Sequence, residues 1–238
     1  MKQLEFAADY RKLTFQKLKT PEFSHLWLLL YWPLYGIAFF TLERLVNTDY
    51  HYVECTVDGL IPFCEYFIIP YYFWFVFLIG MLLYSLLFNI DTFKKFMWYI
   101  IITNTITLLI YAIYPTAQNL RPTVFERHNI FTVIAAKLYA FDTNTNVCPS
   151  LHVINSVAVV LAAWNDKNLC TAFKRFLFVF AAILISMSTV YLKQHSIIDV
   201  FAALILCALC YPFVFSKKLC IENFIGMKRR KKTKFVKN

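Results

Sequence analysis

Glycine is scarce in this chain of 238 residues: there are four. That scarcity argues against flexible linkers and against a glycine-rich nucleotide loop. Charge is thin as well, at 16% of residues, where a soluble domain carries about 25%. No low-complexity tract and no internal repeat is visible. The seven cysteines are an odd count. What fills the chain instead is apolar, 60% hydrophobic and 19% aromatic. A water-soluble globule of this length cannot easily bury so much apolar surface, so the bilayer must be the solvent for much of it.

Six apolar runs stand out, at 25–45, 68–89, 97–114, 151–165, 173–192 and 196–216. A membrane-spanning helix needs about 20 residues, so the fourth run is short. The third carries Thr103, Asn104, Thr105 and Thr107, which suits a helix facing protein rather than lipid. The expected fold is all-α, a polytopic membrane protein built as a six-helix transmembrane bundle over 25–216. A basic arm at 1–24 and a basic tail at 217–238 flank it, and no room is left for a separate soluble domain.

Lys and Arg concentrate on cytoplasmic loops of membrane proteins. Here five lie before the first run, Lys94 and Lys95 follow the second, three join the fourth and fifth, and nine lie in the tail. The loop 46–65 has Asp49, Glu54, Asp58 and Glu65 and no Lys or Arg. The alternation predicts a multi-pass protein of the cell membrane with an even number of spans and both termini cytoplasmic. The first run is too long for a signal-peptide core and is expected to stay as an anchor. Phe6, Tyr10 and Leu13 share a helical face, so the arm is either a basic amphipathic helix on the membrane or a solvated basic segment. The tail run Lys228–Lys232 beside a span suits anionic lipid headgroups, and nucleic acid is not an expected partner. Cys55 and Cys64 share an outer loop and could pair, whereas Cys207 and Cys210 sit inside an apolar run as packing residues.

Three short segments share the outer face: Asn119–Pro122, Cys148–His152 and Ser188–Asp199. Asp199 follows His195 by four residues, about one helical turn, so carboxylate and imidazole share a helix face. A carboxylate accepting from one ring nitrogen fixes the tautomer and exposes the other nitrogen. Ionisable groups at a membrane edge are costly to keep there, which favours a functional site. Ser150 is a good N-cap residue, and a helix N-terminus suits an anion; taken alone, that segment reads more simply as a plain helix cap with an interfacial histidine. Arg121 has the guanidinium to hold two phosphate oxygens, or lipid headgroups. A helix is also expected within 123–141, from Val124, Ile130, Val133, Ile134 and Leu138, either over the site or as an ordinary surface helix.

These residues resemble the membrane-bound type 2 phosphatidic acid phosphatases, which share their site with vanadium haloperoxidases. The family's motifs are Lys, six residues, Arg-Pro; Pro-Ser-Gly-His; and Ser-Arg, five residues, His, three residues, Asp. This chain matches Arg121-Pro122, Pro149-Ser150 with His152, and Ser188 with His195 and Asp199. It departs at three positions: Tyr114 stands for the lysine, Leu151 for the glycine and Thr189 for the arginine. Two phosphate-holding cations are therefore missing, and Lys193 could supply one. The Pro-Ser-Leu-His variant resembles inositol phosphorylceramide synthases and related bacterial proteins, a branch that includes transferases of phospho-headgroups.

The resemblance implies a lipid phosphatase acting at the extracytoplasmic face on a phosphomonoester or pyrophosphate lipid, or a phosphotransferase between lipids. His195 would attack phosphorus to give a phosphohistidine, Asp199 would steady the imidazolium, and His152 would serve as acid and then base. Arg121, Lys193 and the Ser150 and Leu151 backbone N–H groups would hold the phosphoryl oxygens. No metal and no cofactor is implied. Two other classes compete: a metalloenzyme using His152, His195 and Asp199 as ligands, and a transporter or catalytically silent membrane protein.

Overall fold

The computed structural model describes residues 5–44 and 49–216. Among them the protein is mostly helical, with eight α-helices. These are α1 (Tyr31–Arg44), α2 (Thr56–Leu60), α3 (Ile68–Phe88), α4 (Ile90–Ile113), α5 (Ile130–Phe141), α6 (Leu151–Asn165), α7 (Ala172–Tyr191) and α8 (Ile197–Phe215). A two-residue strand, β1 (His51–Tyr52), pairs in parallel with β2 (Thr116–Ala117).

Among the described residues five helical segments are long and apolar enough to cross a membrane: Ser24–Arg44, Glu65–Phe88, Ile90–Ile113, Ala172–Tyr191 and Ile197–Phe215. The expected sixth, α6, has 15 residues, about 22 Å of helix, and falls short of that length. It nevertheless joins the same two ends of the bundle as its neighbours. At one end its first turn places His152 against Tyr71 at the start of α3. At the other, the Asp166 carboxylate accepts from Tyr84 Oη at 3.2 Å, Asn89 Nδ2 at 2.7 Å and Thr92 Oγ1 at 3.2 Å, all at the α3–α4 turn. Helix α6 packs on α3, α4, α7 and α8. Ala158, Ala162 and Ala163 are fully buried there, and such small residues let membrane helices approach closely.

The third apolar run begins earlier than its hydropathy suggests, at Ile90 rather than 97. Asn89 caps it, accepting from Thr92 N at 3.1 Å, and Asp166 holds the Thr92 hydroxyl. Lys94 and Lys95 are therefore helical residues and not loop residues. Only the second half of 123–141 is helical, because Asn129 starts α5 with a capping box: its Oδ1 accepts from Phe131 N and Thr132 N, and Thr132 Oγ1 accepts from Asn129 N. Asn129 also donates to the buried Glu65 at 2.9 Å, which fixes α5 beside α3.

The N-terminal arm is not an α-helix but two 3-10 turns, Tyr10–Lys12 and Phe15–Lys19. It folds under the bundle, with Ala7 N bonded to Leu87 O and Tyr10 Oη to Leu86 O. Cys55 and Cys64 are free thiols rather than a disulfide. Cys207 and Cys210 are buried in the apolar core. The basic tail expected at 217–238 lies outside the described residues.

Candidate active site

The His195 segment begins where α7 stops. Gln194 N and His195 N both bond to Thr189 O, at 2.9 and 3.1 Å, and Lys193 takes the left-handed conformation at φ 54°. That reversal delivers Ser196 as the N-cap of α8, its Oγ accepting from Ile198 N at 3.1 Å. Asp199 closes the capping box, Oδ2 accepting from Ser196 N at 3.0 Å. The same oxygen lies 3.1 Å from His195 Nδ1. One carboxylate thus starts the helix and orients the imidazole. With Nδ1 donating to Asp199, Nε2 carries the free lone pair.

His152 arrives from the first turn of α6. Its ring is packed between Tyr71 and Trp74, each 4.5 Å away by ring centres, and lies 5.8 Å from the His195 ring, crossing it at 64°. Tyr111 Oη ties the turn before α6 to α4 through Pro149 O at 2.6 Å. Both histidines open onto one cleft of about 60 Å³, shared with Glu43, Asp142, Asn146, Leu151 and Gln194. That is room for a few waters or a small oxyanion.

The expected phosphate holders are placed less uniformly. Leu151 lines the cleft. Ser150 N is already bonded to Asp199 O at 3.2 Å, and the Ser150 hydroxyl is buried without a partner rather than capping the helix. Arg121 stands one layer behind the wall. Nη1 donates to Asp142 O at 2.9 Å and Tyr139 O at 3.3 Å, Nη2 to Thr143 O at 2.7 Å and to Gln194 Oε1. Its guanidinium also covers the Tyr139 ring at 4.7 Å, and burial lowers its pKa. Lys193 is not brought to the cleft. Its ammonium donates to Asp58 O at 2.6 Å and Ile61 O at 2.5 Å, and burial lowers its pKa.

Several residues of the site were not foreseen. Asp58, on α2, accepts from Ser196 Oγ at 2.6 Å, Ile197 N at 2.9 Å and Cys55 N at 2.8 Å, so a carboxylate plugs the positive N-terminus of α8. Burial opposes its charge, but these hydrogen bonds outweigh burial and hold its carboxyl below the usual value. Asp142 is pushed up by burial, against the pull of His195 and Arg121. The Cys148 thiol is pushed up to about 12 by burial and by the Asp199 carboxylate beside it. The acidic run in 46–65 signalled topology, not contact, and nothing local marked Glu43 or Asp142 as neighbours of the histidines.

Among the described residues no three His, Cys, Asp or Glu side chains are grouped to hold a metal ion. The geometry offers an oriented imidazole and a second imidazole across a small cleft. That arrangement suits nucleophilic attack paired with proton transfer.

The model of the PAP2 superfamily matches residues 93–218, just over half of the chain. The chain belongs to the PAP2 superfamily. No curated protein and no solved structure matches it significantly. PAP2 members are phosphatases and phosphotransferases, and the apolar helices agree with a membrane-bound member. The matched span takes in Arg121, Ser150, His152, His195 and Asp199. It leaves out α1–α3, so Glu43, Asp58, Tyr71 and Trp74 reach the candidate site from outside the matched region.

Proposed function

We propose that the chain is an integral membrane lipid phosphatase or phosphotransferase that works through a phosphohistidine on His195. The observation that carries this is the 5.8 Å approach of the two imidazoles, one of them held by Asp199 through Nδ1. His195 Nε2 attacks phosphorus, the N–P bond forms and the P–O bond to the leaving group breaks. Protonated His152 gives its proton to the departing oxygen. Water or an acceptor hydroxyl then loses a proton to His152 as its oxygen bonds to phosphorus and the N–P bond breaks. Asp199 stabilises the imidazolium throughout. Leu151 N–H and Gln194 Nε2 face the phosphoryl oxygens, and Arg121 holds Gln194 in place or swings to the oxyanion itself. The positive charge in this mechanism comes from protonated His152 and the His195 imidazolium, with Arg121 one layer behind the wall. Lys193 acts from behind the site, by bracing α2.

The site end is extracytoplasmic in this proposal. The opposite end carries Lys94, Lys95, Lys167, Lys174 and Arg175, as cytoplasmic ends do. The short α6 crosses alongside the five longer segments, so both termini are cytoplasmic.

Transfer between lipids is favoured over simple hydrolysis by one feature. The two positions where the family pattern carries cations are neutral here and are occupied otherwise. Tyr114 stacks on His51 at 3.8 Å, and Thr189 Oγ1 donates to Ser186 O at 2.8 Å. Losing two cations costs a dianionic phosphomonoester more than a monoanionic diester, a diester is what headgroup transfer starts from, and the Pro-Ser-Leu-His sequence fits the transferase branch. The test is purified protein with a panel of lipid phosphomonoesters, pyrophosphates and diesters, in EDTA, scored for free phosphate and for new phospholipid. Product of either kind is expected; neither from any substrate overturns the proposal.

A further inference from the structure

The cleft holds two carboxylates for which the phosphoryl chemistry has no use. Glu43 enters from the last turn of α1. Its Oε1 accepts from Asn146 Nδ2 at 2.9 Å and its Oε2 from Thr143 Oγ1. Asp142, just past α5, accepts from Tyr71 Oη at 3.2 Å. Neither carboxylate has an ion-pair partner within 4 Å among the described residues, and both line the same cleft as His152 and His195. Two amide atoms in that wall are buried without partners: Asn146 Oδ1 and Gln194 Nε2, in residues 8% and 3% exposed. Their orientations are set by neighbours, since Asn146 Nδ2 is on Glu43 and Gln194 Oε1 is on Arg121. One is an acceptor and the other a donor, both in residues that line the cleft, and buried unpaired polar atoms of this kind ask for a partner.

No Lys or Arg lines the cleft. A phosphate group entering alone brings negative charge to two carboxylates. A cation on the same molecule reverses that sign. A primary ammonium has three N–H donors, and the wall offers three acceptors: Glu43, Asp142 and Asn146 Oδ1. We propose that the cleft admits the polar end of a phosphodiester bearing a primary ammonium, the phosphoethanolamine headgroup of a membrane lipid, with its nitrogen between Glu43 and Asp142 and the rest of the lipid outside. This rests on the two histidines acting at phosphorus as set out above. Gln194 Nε2 donates to a phosphoryl oxygen. The N–P bond to His195 forms as the P–O bond to the lipid glycerol breaks, and that oxygen takes the His152 proton. An acceptor hydroxyl then returns a proton to His152 and carries off phosphoethanolamine as the N–P bond breaks.

The test is equilibrium binding to the full chain in detergent, with His195→Ala blocking turnover. The probes are short-chain phosphatidylethanolamine, phosphatidylcholine and phosphatidylglycerol, which share the diester and differ in the headgroup. Phosphatidylethanolamine is expected to bind about tenfold or more tighter than phosphatidylglycerol, as charge-assisted hydrogen bonds require, with phosphatidylcholine between them. Glu43→Gln and Asp142→Asn, each made separately in that background, are expected to abolish the preference by weakening phosphatidylethanolamine binding, with phosphatidylglycerol binding not weakened. Equal binding of all three lipids, or equal losses for all three in both variants, overturns the ammonium site and leaves the histidine chemistry standing. Selective binding with no turnover of any lipid phosphate by the unmodified chain overturns the histidine chemistry instead.

Discussion

The imidazoles of His152 and His195 meet at 5.8 Å and 64° although they arrive on different segments, the first turn of α6 and the turn between α7 and α8. The two rings have different surroundings. His195 is bonded to a carboxylate; His152 is bedded on aromatic faces. That asymmetry suits a nucleophile whose product cation is stabilised and a partner that gains and loses a proton.

Replacing each histidine separates the roles. His195→Ala is expected to abolish turnover and covalent labelling by lipid carrying radioactive phosphorus. His152→Ala is expected to slow turnover by about 10²–10⁴-fold, the usual worth of acid–base help, while still forming an acid-labile phosphoprotein from a substrate with a good leaving group. Label retained in His195→Ala, or lost in His152→Ala with such a substrate, reverses the assignment.

Asp58 predicts an acid limb in stability. Its three hydrogen bonds join α2 to the start of α8, and losing them leaves buried donors unpaired, at about 1–3 kcal/mol. The folded carboxyl titrates below its ordinary value, so ionised Asp58 stabilises the fold above the unfolded carboxylate pKa of about 4. That contribution fades as pH falls through the lowered folded value. Thermal unfolding in detergent is expected to show Asp58→Asn less stable than the unmodified chain at neutral pH and level with it in strong acid. A constant gap at all pH values would refute the role of the charge.

Much of this was legible in the sequence, for a physical reason. Apolar runs of about 20 residues have few alternatives to spanning helices, and His195 and Asp199 are one turn apart, so their pairing is local. The rest depends on long-range packing. Asp58 looked like one of four acids in a loop, yet it is 1% exposed because α2 folds back onto the α8 N-terminus. Lys193 looked like a phosphate ligand by its place two residues from His195, but its left-handed backbone accompanies an ammonium turned to the carbonyls of Asp58 and Ile61. Glu43 and Asp142 lie far apart in the chain and meet only through the Thr143–Asn146 turn.

Cysteine labelling tests the orientation. Cys55 and Cys64 are free and partly exposed near the site end, and Cys170 is partly exposed at the opposite end. In intact cells a membrane-impermeant maleimide is expected to label Cys55 and Cys64 without reductant. Cys170 is expected to label only after the membrane is opened. Cys148, with its thiol pushed up to about 12, is expected to stay unlabelled at neutral pH, because the thiolate is the reacting form. Labelling of Cys170 from outside would invert the topology.

Arg121 and Lys193 give the sharpest contrast, since the family pattern and the spacing made both candidates for holding phosphate. Arg121 bonds Gln194 in the cleft wall, so Arg121→Lys, which loses the forked geometry, is expected to raise KM and lower kcat, by about tenfold or more in kcat/KM. Lys193 braces two carbonyls of the 58–61 segment, so Lys193→Met leaves those acceptors unpaired. It is expected to lower the unfolding temperature, with KM for the lipid changing less than in Arg121→Lys. Steady-state kinetics on both variants, beside thermal unfolding in the same detergent, decide the matter. A large KM effect in Lys193→Met at unchanged stability would mean that its ammonium leaves Asp58 and Ile61 to bind the substrate.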